Sequence, residues 1–260
     1  MLSVRNLTKR FDTLSVLDGF TLELPRRGFT ALVGPSGCGK STFFDVLTGI
    51  VPKDGGDISW LGEPVTDLRD RAAYMQQKDL LLPWLTLMGN ALLPARISGR
   101  DGEAAKKAGS LFDRLGLRGF EQYPPQKVSG GMRQRCALVR TLMFDRELVL
   151  LDEPLSALDA ITRRSLQSYL LLLQSEFQRT ILMITHDVEE ALLLADEVLV
   201  LTAFPMTVRE RFSLTREKPR RADEREFMEM KEHILRVLQE ESGNGLTGAA
   251  ACVAWRDRRE

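Results

Sequence analysis

The chain has only 2 histidines, 3 cysteines, 3 tryptophans and 3 tyrosines among its 260 residues, and each scarcity excludes something. Cys38, Cys136 and Cys252 form neither a CxxC pair nor an even-numbered framework, which speaks against a zinc module and against a disulfide scaffold. A reducing, cytoplasmic compartment fits that usage. With 36 basic and 36 acidic residues the formal net charge is +0, so no basic surface marks nucleic acid as a partner. Long apolar runs are also missing. Leu166–Leu173 and Ala191–Ala195 fall far short of the roughly 20 residues that a membrane-spanning helix needs. The opening residues, MLSVRNLTKRF, carry charges where an export signal needs an apolar run. Any work at a membrane would then depend on a partner that holds the chain there.

What is present is enough to bury a core. Hydrophobic residues make up 43% and charged residues 28%, a composition suited to one large domain or a domain plus a lobe. Strand-like and helix-like segments alternate, which predicts an α/β layered fold. Phe29–Val33 reads as a buried strand, followed by a glycine-rich turn and a helix from about Lys40. Leu148–Leu151, Thr180–Ile184 and Glu197–Leu201 read as further strands, the last preceded by a helix over about Val188–Ala195. Ligands of open α/β sheets collect outside the carboxyl ends of such strands, where the polar residues of this chain also fall. Residues 84–143 are helical in pattern, broken at Gly99, Gly102, Gly116 and Pro124–Pro125, and read as a helical subdomain inserted into a domain of residues 1–205. Over 206–260 the composition changes. Phe227, Met230, Ile234, Val237 and Leu238 predict a short amphipathic helix, followed by a glycine break at Gly243–Gly248 and a small apolar stretch, Thr247–Trp255. This tail reads either as a packing helix with a frayed end or as a contact for a membrane surface or a partner.

The chemistry begins at GPSGCGKST, which spans Gly34, Pro35, Ser36, Gly37, Cys38, Gly39, Lys40, Ser41 and Thr42. It fits G-x-x-x-x-G-K-[ST]: glycines let backbone amides turn inward around a phosphate, and the following helix N-terminus favours the same anion. Lys40 is placed to neutralise the β- and γ-phosphates and Ser41 to ligate Mg2+. In LVLLDEP at Leu148–Pro154, Asp152 ends an apolar strand where it can hold the metal ion. Glu153, one residue further, can orient and deprotonate a water. A GTPase would need an N-K-x-D motif, and none of Asn6, Asn90 or Asn244 begins one. SGG at Ser129, Gly130 and Gly131 presents a hydroxyl, free amides and a positive helix end to an anion, although a Gly-Gly turn also serves plain helix capping.

Together with that SGG, the chain resembles the ATP-binding subunits of ABC transporters. Val128 and Met132 stand where the family's signature motif usually has leucine and glutamine. The remaining motifs follow the family's order over about residues 1–205. Gln77, in YMQQKDLLLPW, matches the Q-loop glutamine and metal contact, with Gln76 the neighbouring alternative; Asp159, in SALD, matches the D-loop; His186, in ITHD, matches the switch histidine; Phe11, in KRFD, matches the aromatic that stacks on adenine, where an isolated aromatic otherwise belongs to a core.

The resemblance implies a P-loop NTPase fold, ATP and Mg2+ as cofactors, and a head-to-tail homodimer with a second ATP-binding subunit. Each shared site would use Glu153, His186 and Gln77 for catalysis and the partner's copy of the signature to close over ATP. It also implies transmembrane permease subunits, an indirect link to a solute-binding protein, and a peripheral place on the cytoplasmic face of the cell membrane. The LLPW run at Leu81–Trp84, then Thr86 and Asn90, is similar to importer subunits of the nitrate, sulfonate and taurine group, and to importers of thiamine pyrimidine precursors. Apolar residues around Leu81–Leu87 are expected either to line a groove for a permease helix or to pack within the lobe. The ATPase of an exporter with a separate permease, and a non-transport ABC ATPase, stand as alternative readings. No residue here is expected to encode the solute.

Overall fold

The structure, a computed structural model, describes residues 1–99, 101–156 and 158–244. Among the described residues, ten strands form two sheets. The smaller is antiparallel, in the order β2 (Leu14–Leu24), β1 (Leu2–Phe11), β4 (Gly55–Trp60) and β5 (Glu63–Val65). The larger runs β10 (Val208–Ser213), β9 (Glu197–Leu201), β3 (Phe29–Val33), β8 (Thr180–Ile184), β7 (Leu148–Asp152) and β6 (Ala72–Met75). All neighbours in the larger sheet are parallel except the edge strand β10.

Every residue of β3, β7 and β8 is buried, as expected for parallel strands covered on both faces. Alternate residues feed two separate cores. Ala31, Val149, Leu151 and Met183 face one, while Leu32, Leu148, Leu150 and Ile184 face the other. The second core is closed by the antiparallel sheet and by α1 (Lys40–Leu47), through Leu7, Phe20, Phe43 and Phe44. The first is closed by helices: α2 (Leu87–Ile97), α3 (Asp101–Arg114) and α4 (Gly130–Met143), which fall within residues 84–143, then α5 (Ala160–Ser175), α6 (Val188–Leu194) and α7 (Arg225–Asn244).

Of the segment beyond residue 205, residues 206–244 are woven into this body. Strand β10 pairs with β9, and Phe227, Ile234 and Val237 of α7 are buried in the helical core. The expected amphipathic helix therefore packs inward, and it is 20 residues long. It continues through Gly243 to Asn244, past the start of the expected glycine break; the rest of that break, Thr247–Trp255 and Cys252 lie outside the described residues. No helix among the described residues is long and apolar enough to cross a membrane.

Candidate nucleotide site

Strand β3 delivers the chain into the glycine-rich loop, and the loop's shape depends on three glycines. Gly37 and Gly39 sit at φ +79° and +111°, where side chains other than glycine are strained. A Cβ at Gly39 would come within 2.5 Å of Val16 Cγ1 on β2, and one at Gly34 within 3.0 Å of Leu201 Cβ on β9. The loop is thus wedged between the two sheets. Lys40 is buried and its Nζ donates to the Gly34 and Pro35 carbonyls, each at 2.8 Å. Ser36 and Gly37 at the loop's crest are exposed, and Ser41 and Thr42 are half-buried. Cys38 is buried beneath the crest and lies 3.7 Å from Lys40 Nζ; burial pushes its thiol up from the ordinary range, so it packs as a small apolar group.

Register brings the other polar residues to the same edge. Asp152 of β7 pairs with Ile184 of β8, the Glu153 amide donates to the Ile184 carbonyl at 2.9 Å, and the Thr185 amide donates to Leu32 of β3 at 3.2 Å. Those bonds align the carboxyl ends of β3, β7 and β8. Asp152 is 2% exposed and accepts a hydrogen bond from the Ser41 hydroxyl. Burial pushes its carboxyl up to about 6, with Glu153 and Asp45 adding repulsion and Ser41 and Lys40 opposing it. Glu153 adopts φ +50°, a left-handed conformation that is uncommon outside glycine. Its Oε1 lies 3.3 Å from His186 Nδ1, and His186 is exposed.

His186 is held by its neighbours. The Thr185 hydroxyl donates to Glu190 Oε2 at 3.0 Å and accepts from the Asp187 amide at 3.1 Å. Asp187 caps α6, accepting from the Glu189 and Glu190 amides at 2.9 and 3.2 Å. Burial raises the Glu190 carboxyl, and Arg163 lies 3.5 Å from it. Neither Thr185 nor Glu190 stands out in the sequence, because a threonine after a strand and a glutamate in a helix carry no motif of their own.

The structure gathers Lys40, Ser41, Asp152, Glu153 and His186, and it sets other expected residues apart from them. Gln77 lies just past β6, exposed, with Gln76 half-buried beside it. Phe11 ends β1 and pairs with Leu14, half-buried against the second core, with Lys9 Nζ 5.2 Å above its ring. Ser129, Gly130 and Gly131 open α4 and share no hydrogen bond or ion pair with the loop, Asp152 or His186 among the described residues. Ser129 caps α4, its hydroxyl oxygen accepting from the Met132 amide at 3.3 Å, and remains exposed. Capping uses a lone pair and leaves the O–H free to donate, so capping and anion contact are compatible. Met132 packs against the helical core. Asp159 caps α5 through the Ile161 and Thr162 amides at 3.1 and 3.0 Å, bonds that hold its carboxyl below the usual range.

A polar residue that sequence reading missed is Gln134. It is buried on α4 and donates to the Glu153 carbonyl at 2.9 Å. Arg133 and Arg140, on the same helix, clamp the segment after Gln77: Arg133 Nε meets Asp79 Oδ2 at 3.0 Å, and Arg140 donates to the Asp79 and Leu80 carbonyls, each at 2.7 Å. The Leu81–Leu87 stretch divides. Leu81 and Leu87 are buried in the helical core, whereas Trp84 is 75% exposed, as is Leu80, just before the stretch, at 50%.

Known proteins resemble this chain over most of its length. Residues 17–156 match the ABC transporter family model. The chain is 42% identical over 200 residues to the aliphatic sulfonates import ATP-binding protein SsuB of Pseudomonas fluorescens, covering 77% of this chain and 73% of that one. It is 40% identical over 192 residues to the formylaminopyrimidine import ATP-binding protein ThiZ of Halalkalibacterium halodurans, covering 74% and 75%. Among solved structures, the dimeric post-hydrolysis state of the ATP-binding cassette MJ0796, bound to ADP and Pi, superposes with a TM-score of 0.76 at 26% identity, covering 84% of this chain and all of that one. The chain belongs to the ABC transporter family, as an ATP-binding and ATP-hydrolysing subunit.

Proposed function

We propose that this chain energises an importer of small solutes of the sulfonate, taurine, nitrate or pyrimidine-precursor kind by hydrolysing ATP in a head-to-tail homodimer. The observation that carries this reading is the split of the phosphate-binding parts. Lys40, Ser41, Asp152, Glu153 and His186 converge at one sheet edge, while Ser129–Gly131 open a helix elsewhere and, among the described residues, share no hydrogen bond or ion pair with them. A second copy, turned about a two-fold axis, would supply the missing anion contacts from its own Ser129, Gly130 and Gly131.

Phosphates of ATP sit against the backbone amides that follow Pro35 in the loop and the Lys40 ammonium, with Phe11 taking the adenine ring. A buried carboxylate beside a hydroxyl is a hard-oxygen donor set, and a cation there would offset the burial that pushes the Asp152 carboxyl up; such a set fits Mg2+, which Ser41 and Asp152 would hold with Gln77 at its edge. When bound, that ion would neutralise charge on the β- and γ-phosphates. Glu153 accepts the proton of a water as its oxygen attacks the γ-phosphorus, and the bond to the β-phosphate oxygen breaks to release ADP. His186, 3.3 Å from Glu153, orients that carboxylate and meets the γ-phosphate. Loss of the γ-phosphate removes what both halves bind, and the dimer opens. Gln77, at the root of the helical segment, would carry that opening to the permease, whose contact includes the exposed Leu80 and Trp84.

Glu153→Gln tests this. The variant should bind ATP, form a dimer that elutes as such from a sizing column, and lose turnover by about a hundredfold or more. Near-normal turnover would remove Glu153 from the role of base, and a chain that stays monomeric with ATP would remove the dimer. Lys40→Ala should lose nucleotide binding in an ATP titration.

A further inference from the structure

Glu153 holds an unfavourable backbone conformation at the reacting edge, and three residues restrain its main chain. Its amide donates to the Ile184 carbonyl at 2.9 Å. Its carbonyl accepts from Gln134 Nε2 at 2.9 Å, from the Ser156 hydroxyl at 3.0 Å and from the Ser156 amide at 3.4 Å. Gln134 Nε2 also reaches Ser156 Oγ at 3.4 Å, so amide, hydroxyl and carbonyl form a closed triangle. A residue at φ +50° persists only where its surroundings over-determine it. Of the three restraints, only Gln134 comes from outside the sheet and the turn after it. It is 6% exposed, and it sits on the helix that Ser129 opens.

We propose that Gln134 is a positioning residue for ATP hydrolysis, holding the Glu153 main chain so that its carboxylate keeps the attack geometry. This rests on the reading of Glu153 as the base. On the dimer reading, α4 would also join two duties: its first turn meets the partner's nucleotide, while Gln134 fixes the base of this chain's own site. Gln134 acts through the Glu153 main chain, so its contribution falls on turnover and not on ATP affinity.

Two variants of similar length separate positioning from mere packing. Gln134→Met keeps volume and removes the donor; Gln134→Glu keeps shape and presents only acceptors when ionised. For each, ATP affinity is titrated without Mg2+, thermal unfolding is followed, and kcat and KM are measured across pH. Both variants should bind ATP within about twofold of wild type and lose roughly ten- to hundredfold in kcat, with KM little changed. Gln134→Glu should recover part of its loss as pH falls, because a protonated glutamate regains a donor, whereas Gln134→Met should not. Wild-type kcat in either folded variant overturns the proposal, as does a loss of kcat matched by an equal loss of ATP affinity. If one variant does not fold, the other decides. Turnover retained in Glu153→Gln would instead overturn the reading of the base, and monomeric Glu153→Gln with ATP the dimer.

Discussion

At Asp152 the demands of folding and of the proposed metal site pull apart. The carboxyl is buried and pushed up to about 6 from 3.8, a difference of about 3 kcal/mol. Between those two values the folded chain holds a proton that the unfolded chain has released. Stability therefore falls as pH rises through that window and stays lower above it. Without Mg2+, Asp152→Asn should unfold at a higher temperature than wild type near neutral pH, and the gap should narrow towards about pH 4. The same variant should lose ATP turnover, because the neutral amide no longer supplies the charge that holds a cation. Calorimetry across pH checks the first outcome and phosphate release the second; a variant less stable than wild type at neutral pH would contradict the burial argument.

Among the elements, α6 shows how a cap serves the site. Asp187 ties the first turn of α6 by its Glu189 and Glu190 amides, directly after His186. Asp187→Ala should cost about 1 kcal/mol of stability and lower kcat as well, whereas Asp187→Asn, which can still cap, should retain most of both. Melting temperature and steady-state turnover read the two effects together. Helix α4 has a wider reach. Through Arg133 and Arg140 it grips the segment after Gln77, and through Gln134 it grips Glu153. These contacts were illegible in the sequence because arginine and glutamine on a helix are ordinary solvent-facing residues until the fold shows what lies opposite. The antiparallel sheet was also missed. Leu2, Val4 and Leu7 are buried on β1 and Leu22 and Leu24 on β2, but register shifts between Val4 and Leu7 and again near Lys9 break the alternation that would announce a strand. Strands β3, β7 and β8 were legible because each is an unbroken apolar run bounded by polar turns.

For the whole molecule, the exposed face around Trp84 is where the chain would meet a membrane-embedded partner. An indole 75% exposed beside Leu80 at 50% gains little for the isolated fold. Trp84→Ala should leave melting temperature and basal ATP turnover of the isolated chain nearly unchanged, within about 0.5 kcal/mol. It should weaken co-purification with the permease and abolish stimulation by a loaded solute-binding protein. Stimulation at the wild-type level would place the contact elsewhere. Residues 206–244 belong to the body: β10 extends the sheet and α7 buries Phe227, Ile234 and Val237.

By itself the sequence determined the glycine-rich loop, the acid pair at Asp152 and Glu153, His186 after its strand, and the segments of four of the five parallel strands, Ala72–Met75 having gone unread. Each of these is a local requirement: glycine where the backbone must turn left, polar residues where an apolar strand ends, an apolar run where a strand is buried on both faces. Only the tertiary structure decided that Asp152 is buried against Ser41, that Glu153 is bent towards His186, that Gln134 and Thr185 support them, and that Leu81 and Leu87 turn inward while Trp84 turns out. Those outcomes depend on strand register and helix packing, which join residues distant in the chain and leave no mark at any one position.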